Sequence, residues 1–165
     1  MVIPMKLPKV MDDGKNVLND CGFANGCKAF YKTDGCLWVE STELCKIPME
    51  LPRYNYSYNT KPYKYCYGAV FQHPEFTGIM KVNVDDKTHL IWQNNSKEQL
   101  CGEPVFIADP DGVYEDDGVL LCPVLSVSKT KQPFMLVLDA RDLSEVARCH
   151  VPGRLAFGFH GHYVN

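Results

Sequence analysis

The sequence predicts an all-β protein, and three observations support this class. Short runs of aromatic and β-branched residues recur along the chain, separated by turn residues such as glycine, asparagine and aspartate. Apolar and polar residues alternate in several of these runs, which is typical of strands with one buried face. No segment shows the apolar spacing of a long amphipathic helix. Such a pattern is typical of a sandwich, a barrel or a propeller, and by itself it does not choose among them.

The first strong strand signal is Pro62–Phe71, which reads PYKYCYGAVF and is rich in aromatic residues. Two further strands are predicted at Thr77–Val84 and Thr88–Gln93, and the polar triplet Asp85–Lys87 between them has the length of a hairpin turn. Apolar side chains alternate with polar ones towards the end of Thr77–Val84. This period of two gives that strand one buried face.

Four more strands are predicted in the rest of the chain, at Glu103–Ala108, Val119–Val127, Phe134–Asp139 and Val146–Val151. Residues 142–145 have room for one helical turn only. Residues 9–25 contain glycine, aspartate and asparagine without periodicity, which predicts a long loop. We find no boundary of a second domain in the sequence.

Composition excludes several classes of function. A chain of 165 residues is long enough for one domain with a substantial core. A formal charge of −3 without a basic run argues against nucleic acid as a partner. No apolar stretch is long enough to span a bilayer. The eight cysteines lack the spacing of a zinc knuckle, so we expect reduced, mostly structural thiols.

Four short motifs follow one another along the chain: MELPRYNY at 49–56, GEPVF at 102–106, EDDGVL at 115–120 and GFHGHYV at 158–164. In this order and spacing the set resembles the C-terminal part of the carotenoid cleavage oxygenases. This non-haem iron family includes the β-carotene oxygenases and the retinoid isomerohydrolase. The resemblance runs from about Gly35 to Val164. The ending is most similar to that of the β-carotene 9′,10′-oxygenase branch.

The resemblance implies a seven-bladed β-propeller with iron on its axis, of which residues 1–165 would supply the last two or three blades. A partial propeller exposes strand edges and apolar faces that neighbouring blades would cover. The implied reaction inserts dioxygen across a double bond of a carotenoid or apocarotenoid and yields carbonyl products. Because Met1–Lys6 reads like the middle of a strand and lacks the pattern of a secretory signal, we expect the natural protein to extend upstream.

His160 is the candidate metal ligand. Neutral imidazole is a good ligand for divalent iron, and the flanking glycines let backbone and substrate approach closely. In the family, the histidine of this Phe-His-Gly motif is the fourth of four that hold Fe(II), and the other three would lie upstream of Met1. The plain alternative is an exposed side chain near a chain end. Solvent contact is expected for the other histidines, although a metal clip of His160 with His162 stays open: His73, His89, His150 and His162.

Glu50 and Glu103 are candidate partners of metal-binding histidines. Each opens a Glu-x-Pro or Glu-Pro segment, where a solvated carboxylate or a surface salt bridge is the plain alternative. A ligating histidine often donates its second N–H to a carboxylate, which fixes the tautomer and raises the basicity of the ligand. The resemblance assigns this part to both motifs. At most one of them can serve His160, so the other should orient a histidine outside this chain.

Other features have simpler interpretations. Glu115–Asp117 lacks the alternating ligand positions of a calcium loop, which predicts a turn. The tyrosines between residues 54 and 67 should pack within and between blades. Phe106, Phe157 and Phe159 are candidates to line the apolar tunnel that a carotenoid needs.

The leading functional prediction is therefore an Fe(II)-dependent carotenoid dioxygenase, of which this piece alone has too few ligands to bind iron tightly or to turn over. The alternative is a non-catalytic β-module that binds lipid or protein through an exposed blade face. The protein is predicted to be cytoplasmic, or mitochondrial if a targeting segment lies upstream, with at most peripheral membrane contact. Which carotenoid and which bond react, and whether cleavage or isomerisation occurs, depend on parts of the tunnel outside this chain.

Overall fold

A computed structural model of the chain describes residues 15–19, 27–72, 75–156 and 158–164. In these ranges the chain forms antiparallel strands and one short 3-10 helix, Tyr56–Tyr58. The predicted all-β class is confirmed. No helix in these ranges is long and apolar enough to cross a membrane. The chain divides into two compact units, Met1–Leu44 and Cys45–Asn165.

The first unit contains a hairpin that the sequence analysis missed. Strand β1 (Lys28–Tyr31) pairs with β2 (Leu37–Glu40), and Gly35 in the turn has a φ of 81°, a left-handed conformation that favours glycine. Ala29 of β1 is buried in a small apolar cluster with Leu18. Of the predicted loop 9–25, residues 9–14 and 20–25 lie outside the described residues, and residues 17–19 form a turn.

The second unit begins with a four-stranded sheet in chain order. It consists of β3 (Met49–Arg53), β4 (Tyr65–Gln72), β5 (Glu75–Asn83) and β6 (His89–Gln93). The last three agree with the predicted strands to within a few residues, whereas β3 was not predicted. The hairpin between β5 and β6 forms as expected, because Asp86 accepts hydrogen bonds from the backbone and hydroxyl of Thr88.

A second sheet is built around the long strand β9 (Gly118–Ser126). On one side β9 pairs with β10 (Phe134–Asp139), which pairs with β11 (Glu145–His150). On the other side β9 pairs with two short strands that follow one another, β7 (Gln99–Cys101) and β8 (Val105–Ala108). The single strand predicted at Glu103–Ala108 is therefore wrong at its start. The ladder breaks at Gly102–Pro104 and resumes at Val105.

One apolar cluster contains residues of both sheets, so the two sheets share a core. Its members are buried side chains of β4, β5, β7, β9 and β10 and of the turn after β10: Tyr67, Ile79, Cys101, Leu120, Cys122, Val124, Phe134, Leu136, Leu138, Ala140 and Leu143. Burial raises the pKa of the Cys101 thiol to about 12 and also raises that of Cys122. Both thiols therefore stay protonated and pack as small apolar side chains. Leu143, where one helical turn was considered, has a φ of 61° and is not helical.

The acidic segment Glu115–Asp117 forms a turn, as predicted, and each carboxylate has protein partners. Glu115 accepts hydrogen bonds from the backbone N–H groups of Lys64 and Tyr65. Asp116 forms a 2.6 Å ion pair with the buried Lys81 of β5. Asp117 accepts hydrogen bonds from two N–H groups of its own turn, at Val113 and Tyr114. The contacts of Glu115 and Asp116 hold the loop before β9 against the four-stranded sheet β3–β6, which is called the first sheet below.

Candidate metal centre and adjoining pocket

The break between β7 and β8 places Glu103 at the candidate site. Cys101 pairs with Val124 and Val105 with Leu121, so three residues on this side face two on β9. One extra residue makes the chain bulge out of the ladder. Gly102 is required on packing grounds, because a Cβ there would lie 2.9 Å from Cγ and 3.2 Å from the carbonyl oxygen of Pro123.

The Glu103 carboxylate is buried and accepts three hydrogen bonds. Oε2 accepts from Nη2 of Arg53 at 2.8 Å and from the backbone N–H of Gly161 at 2.9 Å. Oε1 lies 3.1 Å from Nδ1 of His160. The side chain is 4 % exposed. A charge this well buried is stable only when it is paired and hydrogen-bonded, and these contacts meet that requirement.

The same contacts keep the carboxylate ionised. Burial by itself raises the pKa of Glu103, but the hydrogen bonds from Arg53, from the Gly161 N–H and from His160 outweigh it, so the pKa lies below its ordinary value. An ionised carboxylate can only accept hydrogen bonds. Glu103 is thus a fixed negative charge beside the imidazole.

This fixed charge determines the tautomer of His160. Because the carboxylate has no proton to give, the hydrogen of the 3.1 Å contact belongs to Nδ1 of His160. In the neutral ring, Nε2 then carries the free lone pair, which is the donor that a metal ion requires. The His160 side chain is 74 % exposed, so this nitrogen is accessible rather than packed in the core.

Arg53 is a site residue to which the sequence analysis assigned no role. It ends β3, and its Nη2 donates both to Glu103 and to the carbonyl oxygen of Gly161, each at 2.8 Å. The hydrogen bond to Glu103 raises the pKa of the Arg53 guanidinium. Arg53 therefore joins the first sheet, the break in the second sheet and the C-terminal segment. In the sequence, Arg53 could have been noticed only as a positively charged residue shortly after Glu50 and Pro52, in a strand that was not predicted.

A pocket of about 690 Å³ adjoins this cluster. Arg53, Glu103 and His160 form part of its wall. Most other lining side chains are aromatic or apolar, together with a second histidine: Pro52, Tyr54, Tyr56, Val105, Phe106, Ile107, His162 and Tyr163. This volume falls within the range typical of small-molecule sites, which are mostly apolar with a few oriented polar groups.

Glu50 lies elsewhere. Its side chain is exposed on β3, and among the described residues it forms no hydrogen bond or ion pair. The structure thus brings together His160 and one of the two predicted glutamates. The roles of Glu103 and Glu50 in orienting metal-binding histidines both stay predictions.

The other histidines considered in the sequence lie in different parts of the structure. His162 lines the same pocket as His160, and both lie in residues 158–164, where the described residues form no strand. The exposed His150 packs on the ring of Phe134, and the exposed His89 lies near Cys45. His73 and Phe157 lie outside the described residues.

The candidate aromatic residues differ in whether they line the pocket. Phe106 lines the pocket and stacks on the buried Tyr67, whereas Phe159 is exposed and is not part of the pocket wall. Tyr54 stacks on Tyr63 at 4.9 Å between ring centroids. The tyrosine series therefore supplies both a core residue and a wall of the pocket.

The donor set fits part of a metal centre. A histidine with a free Nε2 and a carboxylate on its Nδ1 is a typical ligand arrangement. Within the described ranges, no group of three or more histidine, cysteine, aspartate or glutamate side chains could hold a metal ion. The arrangement therefore offers one ligand, His160, with two residues that hold it in place, Glu103 and Arg53.

Comparison with known proteins identifies the family. The model of the family described as retinal pigment epithelial membrane protein (RPE65) matches residues 11–165, nearly the whole chain. The chain belongs to this family of carotenoid oxygenases. The recognition made from the four motifs is confirmed.

Curated relatives in this family include two carotenoid-cleaving enzymes with clear similarity. The chain is 40 % identical over 165 residues to β,β-carotene 15,15′-dioxygenase of Rattus norvegicus, covering 98 % of this chain and 28 % of that protein. It is 37 % identical over 170 residues to the mitochondrial carotenoid-cleaving dioxygenase of Mustela putorius furo, covering 99 % of this chain and 31 % of that protein. The chain thus spans less than a third of the length of these family members.

Solved structures of the family share the fold. The cobalt-substituted apocarotenoid oxygenase of Synechocystis has a TM-score of 0.70 at 22 % identity, covering 84 % of this chain and 29 % of that one. A chimera of that oxygenase with RPE65 has a TM-score of 0.68 at 21 % identity, covering 81 % of this chain and 29 % of the chimera. At this identity the likeness concerns the fold alone, and the number of propeller blades in this family member stays a prediction.

Proposed function

We propose that this chain is the C-terminal part of an Fe(II)-dependent carotenoid cleavage dioxygenase and supplies one iron ligand and one wall of the substrate pocket. The observation that carries the proposal is the contact between His160 Nδ1 and the ionised Glu103, which leaves Nε2 free at the edge of a largely apolar pocket. The dioxygenase names of the relatives support the reaction class.

Iron bound by His160 and three further histidines would supply the redox chemistry that activates dioxygen for cleavage of a polyene double bond into two carbonyl products. The residues of this chain prepare that site. Glu103 holds the imidazole in the tautomer with a free Nε2, and Arg53 neutralises the carboxylate and clamps Gly161 next to the ligand. Glu50 would orient one of the histidines supplied by the rest of the protein.

The pocket wall suits a carotenoid or apocarotenoid. Such a substrate has no charge and few hydrogen-bonding groups, so its binding depends on contact with apolar surface. Tyr54, Phe106 and Tyr163 supply aromatic surface next to His160. Phe106 is held in place by stacking on Tyr67, with ring centroids 5.7 Å apart.

A chimera provides the test, since a crystal structure of a chimera between two relatives shows that such exchanges fold. Residues 15–165 would replace the matching C-terminal segment of the Rattus norvegicus dioxygenase. We expect the folded chimera to contain about one iron and to release carbonyl products from carotenoids. His160→Ala should abolish both properties, and Glu103→Gln should lower iron affinity by about 10- to 100-fold.

Two controls make the test specific. His162→Ala removes the neighbouring histidine of the same pocket and should leave iron content unchanged. The 165-residue chain alone should bind iron weakly, because one histidine lacks the preformed cage that provides most of the affinity. A folded chimera that keeps its iron after His160→Ala contradicts the proposal. A folded chimera without iron favours the non-catalytic β-module that binds lipid or protein.

The compartment is part of the proposal. A cytoplasmic protein is the first expectation and a mitochondrial one the alternative, which the name of the Mustela putorius furo relative supports. Membrane contact would be peripheral, as expected for an enzyme whose substrates dissolve in lipid. Imaging of the full-length protein with a C-terminal tag distinguishes the two compartments.

A further inference from the structure

Three side chains of types that can bind metals lie close together at the first sheet, outside the candidate iron site. Cys45 precedes β3, Met80 lies in β5 and His89 begins β6. The sulfur of Cys45 lies 4.0 Å from the thioether sulfur of Met80 and 3.7 Å from Nδ1 of His89. The Ile47 N–H donates to the same sulfur at 3.4 Å, which fixes its position.

These separations match those of ligands around one metal ion. A metal bonded at about 2.3 Å to sulfur and about 2.0 Å to nitrogen has trigonal ligands about 4.0 Å apart for two sulfurs and about 3.7 Å for sulfur and nitrogen. The distances from Cys45 to Met80 and to His89 are 4.0 and 3.7 Å. The Cys45 sulfur therefore lies at ligand spacing from both other donors, so an ion bound to it could take Met80 and His89 as further ligands.

The surroundings give the group one buried donor and an open side. Met80 is fully buried, Cys45 is partly exposed and His89 is exposed, so an ion reaches the buried thioether past the imidazole. Met80 pairs with Gly68, where a Cβ would lie 2.7 Å from the sulfur of Met49. A second thioether thus covers the same face of the sheet, and this surface is rich in sulfur.

The donor types select the metal. A thioether is a neutral, soft ligand that favours Cu(I), whereas Zn²⁺ prefers four donors among thiolate, imidazole and carboxylate. Only two donors of those three kinds are present in this group. Binding would release the thiol proton of Cys45, and the thiolate would balance the single charge of the ion.

We propose that Cys45, Met80 and His89 form a binding site for a soft monovalent metal ion, Cu(I), separate from the iron site. The site belongs to the first sheet and needs no residue outside this chain. It does not depend on the dioxygenase proposal, so the two can fail separately.

The test is an anaerobic titration of Cu(I) into the reduced 165-residue chain, with bicinchoninate as the competing chelator. We expect one ion to bind more tightly than any further ones, and Cys45→Ser, His89→Gln and Met80→Leu each to lower that affinity at least about tenfold. Met80→Leu is the decisive variant, because it keeps an apolar side chain of similar size and removes only the sulfur.

Matched controls separate a built site from general thiol binding. Cys149→Ser removes an exposed thiol and Met49→Leu removes the neighbouring thioether, and both should leave the tightest affinity unchanged. Unchanged affinity in folded Met80→Leu and His89→Gln, or equal losses in the controls, overturns the proposal. If Met80→Leu does not fold, Ag(I) added to the wild-type chain with labelled methionine methyl groups gives the answer. A shifted Met80 methyl signal supports the site, and an unshifted one rejects it.

Discussion

The four-stranded sheet and the sheet around β9 each have irregular pairing next to a glutamate, but the two glutamates differ in their contacts. In the first sheet, Glu50 pairs with Ala69 and Arg53 with Tyr67, so two residues of β3 face one of β4. In the second sheet, the three residues of the break after β7 face two of β9. Each ladder therefore gains one extra residue next to a glutamate, which is followed by Leu51 and Pro52 in the first sheet and directly by Pro104 in the second. Within β3, Glu50 still pairs with Ala69, whereas Glu103 lies in the break itself.

The difference arises from what the rest of the chain brings to each carboxylate. The Glu103 side chain is only 4 % exposed. Arg53 of the other sheet and His160 and Gly161 of the C-terminal segment contact its carboxylate. Glu50 remains exposed on β3. A glutamate beside such a bulge is buried and hydrogen-bonded in one sheet and exposed in the other. Distant segments thus decide whether such a glutamate positions a histidine.

The difference between the two glutamates should be clearest in the stability of variants. Glu103→Ala should lower the free energy of unfolding by about 2–3 kcal/mol, since it leaves Arg53 and the Gly161 N–H without their charged partner. Glu50→Ala is the matched control and should change stability by about 0.5 kcal/mol or less. Urea denaturation followed by fluorescence measures both. Equal losses in the two variants would show that the sheets do not differ in this way.

The pH dependence of stability should also reveal the contribution of the Glu103 carboxylate. The pKa of Glu103 is lowered in the folded protein from its ordinary value of 4.5. The unfolded chain therefore binds the proton more readily, so the contribution is complete above about pH 4.5 and is lost as the pH falls through the folded pKa. As the pH falls below about 4.5, the wild-type chain should therefore lose more stability than Glu103→Gln.

Parallel acid titrations of the two proteins by circular dichroism check this expectation. Arg53 and His160 face the carboxylate, and both proteins keep them, so the difference between the curves reports on Glu103 itself. A steeper loss of stability in Glu103→Gln than in the wild-type chain contradicts the prediction.

A smaller effect is expected at the bulge of β3, where Leu51 lies. Leu51 has a φ of 54°, which costs a residue with a side chain about 1 kcal/mol. Leu51→Gly removes this strain but also exposes apolar surface that the half-buried leucine covers. We expect the two effects to cancel to within about 0.5 kcal/mol in urea denaturation. A loss above about 2 kcal/mol would show that the Leu51 side chain packs as a core residue.

Much of the fold was predictable because runs of aromatic and β-branched residues mark strands. Pro62–Phe71 is rich in aromatic residues and Thr77–Val84 alternates towards its end, and both regions contain strands. The prediction of one buried face for Thr77–Val84 was wrong, because consecutive residues of β5 from Gly78 to Val82, including Lys81, are buried. Met49–Arg53 was missed because it is short and contains proline, which usually argues against a strand. The break at Gly102–Pro104 was missed because a bulge depends on the register of the partner strand.

The all-β class and the family could be predicted from the sequence, and so could the candidate residues His160, Glu50 and Glu103. Strand patterns and short motifs are local properties of the chain, so they are visible without a structure. Only the tertiary structure decided that Glu103 contacts His160, that Arg53 completes this cluster, and that Cys45, Met80 and His89 meet. These contacts join residues far apart in sequence. Their physical cause is the shared core and register of the two sheets, which no local pattern specifies.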